Sequence, residues 1–435
     1  MNYTPHTERD VAEMTAVIGV DGIESLFKVC EAFGGGDKGL SVAGLSQLEA
    51  EKKIKASAAK NKVWTSVFLG AGAYRHYIPP VVRHIGSNPR FVTAYTPYQP
   101  EMSQGILQAV FEYQSCITSL TGLDVSNASM YDGATAAAEA VLMCADGGDI
   151  LVSAGINPYV RSVIAAYLKG RGGKITDVPL GADGLTDTEF LKNHSAGAAC
   201  CIIQQPNYFG NIEDAKSIGG ILNDAGVKYI LHTYPISLAL LASPAECGAD
   251  FATGEGQPLG LPLGFGGPYL GYIAAKEKYM RKMTGRIVGE TTDKNGHTVY
   301  VLTLQAREQH IRREKASSSI CSNEALCALT AAAYLAAVGK EGFVKIADDC
   351  AAKAHYLAER LKASGFALKY GSTEFFNEFV TVSDGVSADA VLKKLAKKGI
   401  LGGLKIGAKE ILWCATEMNT KDEIDAAVKA AKEIF

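Results

Sequence analysis

Between residues 130 and 275 two hydrophobic patterns alternate along the chain. Alanine-rich or amphipathic stretches with helical spacing, Ala134–Ala145, Pro158–Lys169 and the segment IEDAKSIGGILNDAG, are separated by short apolar runs. Those runs (DILVS, ITDVPL, AACCIIQQP, VKYILH and PYLGYIAA) have the length and composition of buried strands. Helices alternating with strands that are apolar on both faces predict a mainly parallel sheet covered on both sides.

The flanking regions follow other patterns. Residues 7–60 read as helical, with Ser46 and Glu49 at capping-box spacing, and GGGDKG at 34–39 as a loop. VWTSVFLG (63–70) reads as a strand. The proline-rich passage 88–105 has no period and reads as an ordered loop, followed by a helix carrying Ile106, Val110, Tyr113, Ile117 and Leu120 on one face. After residue 320 a long helical stretch (323–365) leads into strand, helix, strand and helix, an α+β unit. The expected organisation is an N-terminal helical segment (1–62), a large α/β domain (63–320) and a small C-terminal α+β domain (321–435).

Composition narrows the function. With 435 residues, 47% hydrophobic and 20% charged, the chain reads as a soluble globular protein. A net charge of −3 gives no general attraction for nucleic acid or anionic membranes. No apolar run reads as a membrane span, the N-terminus lacks the pattern of a secretory signal, and ten scattered cysteines suit a reducing cytoplasm. No metal site is expected: there is no CxxC pair, and His310 with Glu314 supplies only two potential ligands.

Four groups carry candidate chemistry. Asp132-Gly133-Ala134-Thr135 opens a helix, where small residues let backbone N–H groups approach an anion; it also reads as a simple cap. The stretch 228–276 has the place in sequence where pyridoxal phosphate (PLP) enzymes pair the pyridine nitrogen with an Asp and then bond the cofactor to a Lys. Tyr234 stands at the Asp position before Pro235, Glu255, Gly256 and Gln257 stand where the lysine belongs, and no lysine lies between Lys228 and Lys276. Thr93 to Glu101 (TAYTPYQPE) offers several hydroxyls on a stiff backbone, suited either to packing on a neighbouring domain or to a substrate or shared interface. The mixed-charge run Arg307–Lys315 reads as a solvated helix face. GAGAYR (70–75) lacks the third glycine and the acidic partner of a dinucleotide-binding fingerprint.

TAYTPYQPEMSQGILQAVFEYQ, TGLDVSNASMYDGATAAAEA, GEGQPLGLPLGFGGP and LQAREQHIRREKASSSICSNEAL together resemble glycine dehydrogenase (decarboxylating), the P-protein of the glycine cleavage system. The resemblance covers nearly the whole chain and implies the fold-type-I, aminotransferase-like fold of PLP-dependent transferases. Length and the absent lysine correspond to the N-terminal half, the α subunit. The resemblance then implies an α2β2 assembly with a lysine-bearing β subunit that holds PLP, with glycine as substrate and the lipoyl group of H-protein as co-substrate. It implies no catalytic residue in this chain and a relic of the phosphate cradle at Gly133, Ala134 and Thr135. It also places Thr93, Tyr95, Thr96, Tyr98 and Gln99 at the subunit interface, lining the partner's active site. Family members often carry Asp-Pro where this chain has Tyr234-Pro235. An autonomous PLP enzyme using Lys276 or another unexpected lysine and a purely structural scaffold are the competing readings.

Overall fold

The structure, a computed structural model, describes residues 5–28, 44–92, 96–145, 148–169, 173–304, 309–316, 318, 320 and 323–433. The chain forms two compact units, Met1–Val63 and Trp64–Phe435. In the first, helices α1 (Glu8–Ile18) and α2 (Gln47–Ala58) both begin with complete capping boxes, Thr7 with Asp10 and Ser46 with Glu49. The 34–39 loop reading lies outside the described residues.

In the second unit the chain runs through β1 (Ser66–Val67), α3 (Pro80–Gly86), α4 (Pro100–Thr121) and β2 (Val125–Ser126). The alternating segment follows: α5 (Gly133–Ala145), β3 (Ile150–Ser153), α6 (Pro158–Leu168), β4 (Ile175–Val178), α7 (Thr188–His194), β5 (Cys200–Gln205), α8 (Ala215–Asp224), β6 (Lys228–Thr233), β7 (Phe251–Glu255) and β8 (Gly271–Ala275). An antiparallel hairpin, β9 (Ile287–Thr292) and β10 (Thr298–Thr303), precedes the short α9 (Gln309–Arg312). The C-terminal part contains α10 (Ala325–Lys362), β11 (Phe366–Leu368), β12 (Glu378–Ser383), α11 (Ala388–Lys397), β13 (Ile400–Leu401), β14 (Leu404–Lys405), β15 (Glu410–Cys414) and α12 (Lys421–Lys432).

The central sheet has the order β2-β8-β7-β6-β5-β3-β4. From β4 to β7 neighbouring strands are parallel, and β8 and β2 close one edge antiparallel. Successive side chains on a strand point to opposite faces. Ile150, Val152, Cys200, Ile202 and Ile230 therefore join one core with α5 and α6, while Leu151, Cys201, Ile203, Tyr229 and Leu231 join another with α8. Burial on both faces explains the unbroken apolar runs. All eight described cysteines are free and seven are buried.

Two readings need correction. Helix α4 starts at Pro100, inside the passage read as loop, because proline's fixed φ suits the first helical turn, where no N–H bond is required. Ser103 (φ −126°, ψ 20°) kinks that first turn away from the rest. The expected strand at 63–70 shrinks to Ser66–Val67, paired parallel with Ile400–Leu401; the Phe68 N–H still donates to the Leu401 carbonyl at 2.8 Å, while its carbonyl accepts from the Cys414 N–H and its ring packs edge-on against the fully buried Trp413. Trp413 sits in the four-stranded antiparallel sheet β11-β12-β15-β14 and donates to the Thr381 hydroxyl at 2.7 Å. By length and composition alone α10 is apolar enough to cross a membrane. It is broken at Gly339 (φ 62°, ψ 179°), and Ala331, Tyr334, Ala347, Leu357 and Leu361 fill two of the protein's cores.

Candidate functional site

At the carboxyl ends of β5, β6 and β7, facing the start of α5, lies a cavity of about 350 Å³. Ligands of open α/β sheets bind at this end of the strands. Its lining includes Tyr74, Asp132, Gly133, Ala134, Asn157, Gln204, His232, Tyr234, Glu255 and Tyr269, and among the described residues no lysine or arginine.

The floor is built from the main chain. Gly133 must be glycine, since a Cβ there would come within 2.8 Å of the Glu255 backbone nitrogen. This close approach brings the start of α5 onto the end of β7. The Glu255 carboxylate then accepts three backbone N–H bonds: Gly133 on Oε2 at 2.9 Å, and Gln257 at 2.9 Å and Leu270 at 3.0 Å on Oε1. Burial pushes the Glu255 carboxyl up to about 7, the three N–H donors opposing it and nearby Asp132 adding to it. Thr135 turns away: its N–H donates to the Asp132 carboxylate and its hydroxyl to the Asp132 carbonyl, a helix cap.

The roof is built from side chains. Gln257 clamps Tyr74 from both sides of its peptide, accepting its N–H and donating to its carbonyl, each at 3.0 Å. The Tyr74 hydroxyl donates to Glu378 Oε2 at 2.7 Å, and the Ala71 N–H to Oε1 at 2.6 Å. Burial again raises the carboxyl, to about 7. Tyr234 packs on Tyr74, ring centroids 4.4 Å apart, and its hydroxyl meets His76 Nε2. His76 Nδ1 lies 2.7 Å from Glu417 Oε2, and Glu417 also accepts from the Tyr77 N–H and the Cys350 thiol. Burial alone would raise the Glu417 carboxyl, but the His76 ring and the Tyr77 N–H outweigh it and hold it below its ordinary value. On the strand side His232 bonds Thr253, and burial lowers it to about 4, leaving a neutral ring.

Gly133, Ala134 and Tyr234 thus line one cavity, as does Glu255. Thr96, Tyr98 and Gln99 lie outside it. The Tyr98 hydroxyl accepts from Arg286 at 2.8 Å while the guanidinium sits 4.9 Å from its ring centroid, and Gln99 precedes α4 without capping it. Thr93 and Tyr95 fall outside the described residues, as do Arg307 and Glu308 of the charged run. Lys276, the lysine an autonomous enzyme would need, bonds Asp250 at 3.0 Å and is absent from the lining. Sequence reading missed Tyr74, His76, Glu378 and Glu417, which are far apart in the chain and carry no motif.

Seven strands, their covering helices and the site at the strand ends define a fold-type-I PLP-dependent enzyme architecture. Solved structures at low identity share it: sphingosine-1-phosphate lyase from Burkholderia pseudomallei (14% identity, TM-score 0.68, 92% of each chain) and alanine–glyoxylate aminotransferase from Nostoc (16%, TM-score 0.62, 92% of this chain and 99% of that one). A crystal structure of glycine decarboxylase (P-protein) of the glycine cleavage system, in inhibitor-bound form, is similar over 100% of both chains (40% identity, TM-score 0.86). The sequence profile of the glycine cleavage system P-protein matches residues 1–430. A protein named probable glycine dehydrogenase (decarboxylating) subunit 1 from Moorella thermoacetica is 47% identical over the full length of both chains. One of the same name from Dictyoglomus turgidum is 46% identical over 100% of this chain and 99% of its own. The chain belongs to the glycine cleavage system P-protein family.

The residues present do not fit PLP in this chain's own cavity. No lysine lies among the described lining residues, Tyr234 stands at the end of β6 where the sequence reading looked for the carboxylate that pairs the ring nitrogen, and the Gly133 N–H at the start of α5 is already taken by Glu255.

Proposed function

We propose that this chain is the α subunit of a glycine-cleaving P-protein, without a cofactor lysine, working in the cytoplasm as an α2β2 complex with the lysine-bearing β subunit. The complex decarboxylates glycine and passes the aminomethyl group to the lipoyl arm of H-protein, an oxidoreductase reaction in which PLP on the partner supplies the electron sink. This chain stabilises the catalytic subunit, closes its pocket against water and shapes the path of the lipoyl arm. The observation that carries the reading is a family fold whose own cofactor position holds a hydrogen-bonded glutamate and no lysine. The held orientation of Tyr98 on Arg286 suits a hydroxyl presented to a partner, and Thr93, Tyr95, Thr96 and Gln99 flank it in sequence.

Co-expression with the lysine-bearing homologue tests the proposal by glycine–bicarbonate exchange with and without this chain. Exchange is expected only from the pair, and full exchange from the partner alone would reduce this chain to an accessory. In the pair, Tyr98→Phe is expected to slow turnover with assembly intact; unchanged kinetics remove it from the path.

A further inference from the structure

Three backbone N–H groups from three separate segments, the start of α5, the turn after β7 and the strand-side residue Leu270, converge on one point. Converging main-chain donors at a helix start form an anion site, and the α5 dipole adds to it. In this chain the occupant of that site is covalently part of the protein. We propose that the Glu255 carboxyl group is a built-in guest which occupies this cradle and bars phosphate-bearing ligands from the cavity. The inference goes beyond the division of labour proposed above, which requires only that the cofactor lysine be absent.

Charge and geometry both support it. An entering phosphate would have to displace a carboxyl group that is tethered in place and already accepts three N–H bonds. It would also face Asp132 on the same lip, with no lysine or arginine among the described lining residues to neutralise it. What remains available is an aromatic and neutral polar wall made by Tyr74, Tyr234, Tyr269, Asn157 and Gln204. The site is therefore an N–H cradle whose guest is supplied by the chain itself, and the main-chain geometry that would hold a phosphate is retained beneath it.

The test is to empty the cradle. Glu255→Ala removes the carboxyl group and leaves the three N–H groups without their acceptor at the floor of the cavity. Glu255→Gln keeps the bulk and one acceptor and so keeps the cradle closed. Inorganic phosphate, pyridoxal phosphate and pyridoxal are titrated into the full-length proteins by calorimetry, with circular dichroism as the check on folding. The alanine variant is expected to bind phosphate and pyridoxal phosphate at least ~10-fold more tightly than wild type, a gain of about 1.4 kcal/mol. Pyridoxal should gain nothing, and neither should any ligand with the glutamine variant. A folded alanine variant with no gain, or a wild type that binds pyridoxal phosphate as tightly as the variant, overturns the proposal. If the alanine variant does not fold, wild-type crystals soaked in concentrated phosphate decide the matter. Phosphate on the Gly133, Gln257 and Leu270 nitrogens with Glu255 swung out overturns it, whereas an undisplaced carboxylate supports it.

Discussion

The floor and the roof of the cavity each hold buried carboxylates, but they are built differently. On the floor, Glu255 is held by main-chain N–H groups whose positions follow from the approach of α5 to β7. In the roof, Glu378 and Glu417 are held largely by other side chains, Tyr74, His76 and Cys350, together with one backbone donor each. The main-chain donors of the cradle keep their places when the guest is removed, whereas each side-chain link of the roof depends on the rotamers of two side chains. The roof itself divides further. Glu378 meets only neutral donors and burial wins, raising it to about 7. Glu417 meets the His76 ring as well, and its carboxyl is held below its ordinary value. Glu378 is also the more deeply buried of the two, so deeper burial and the lack of a ring partner act together to raise it, while the His76 ring and the Tyr77 N–H carry Glu417 the other way.

The most damaging way to test this contrast is Glu417→Ala, which strips the acceptor from the His76 ring, the Tyr77 N–H and the Cys350 thiol at once. A loss of about 3–5 kcal/mol is expected in urea unfolding at neutral pH. A loss below ~1 kcal/mol would show that water replaces Glu417 without cost.

Next in size is a pH effect with a definite sign. Between its ordinary 4.5 and about 7, folded Glu378 keeps a proton that the unfolded chain has released. Stability therefore falls as pH rises through that window, by on the order of 3 kcal/mol for one buried group. Glu255 acts in the same direction over the same window. Glu417 acts in the opposite sense, its stabilisation being present above 4.5 and lost as pH falls through its lowered value. His232 also opposes, with stability lost as pH falls from 6.5 towards about 4. Glu378→Gln keeps an oxygen for the Ala71 N–H and an amide to donate to Tyr74. The difference between variant and wild-type stability should grow in the variant's favour from pH 5 to pH 8. A difference independent of pH would mean that Glu378 does not titrate there.

The smallest expected change is Tyr234→Phe. The ring still packs on Tyr74, and only the bond to His76 is lost, worth about 1 kcal/mol by thermal unfolding. A cost as large as that of Glu417→Ala would mean that the roof network acts as one unit rather than link by link.

Much of this site was legible before the fold was known. The gap between Lys228 and Lys276, Tyr234 before Pro235 and Glu255 where a lysine belongs can all be read from one stretch, because the cofactor end of a parallel sheet is built from consecutive strand ends. The α5 start at Gly133 was legible as a helix start, since small residues before an alanine-rich stretch suit either a cap or a close main-chain approach, and the structure holds both. Nothing local marked His76, Glu378 or Glu417. Each lies in an ordinary context, and only the packing of residues 70–77 against β12 and the segment after β15 brings them together. The start of α4 was misplaced because a proline at the first helical turn reads like a proline in a loop.

The sequence alone determined the alternation that forces a parallel sheet, the family, and the loss of a cofactor lysine, since each depends on residue type and spacing within one segment. Only the tertiary structure decided what replaced that chemistry. The Glu255 carboxyl can fill the cradle only if the start of α5 and the residue Leu270 deliver their N–H groups to the same few ångströms as the local Gln257 N–H, and no spacing along the chain records that convergence.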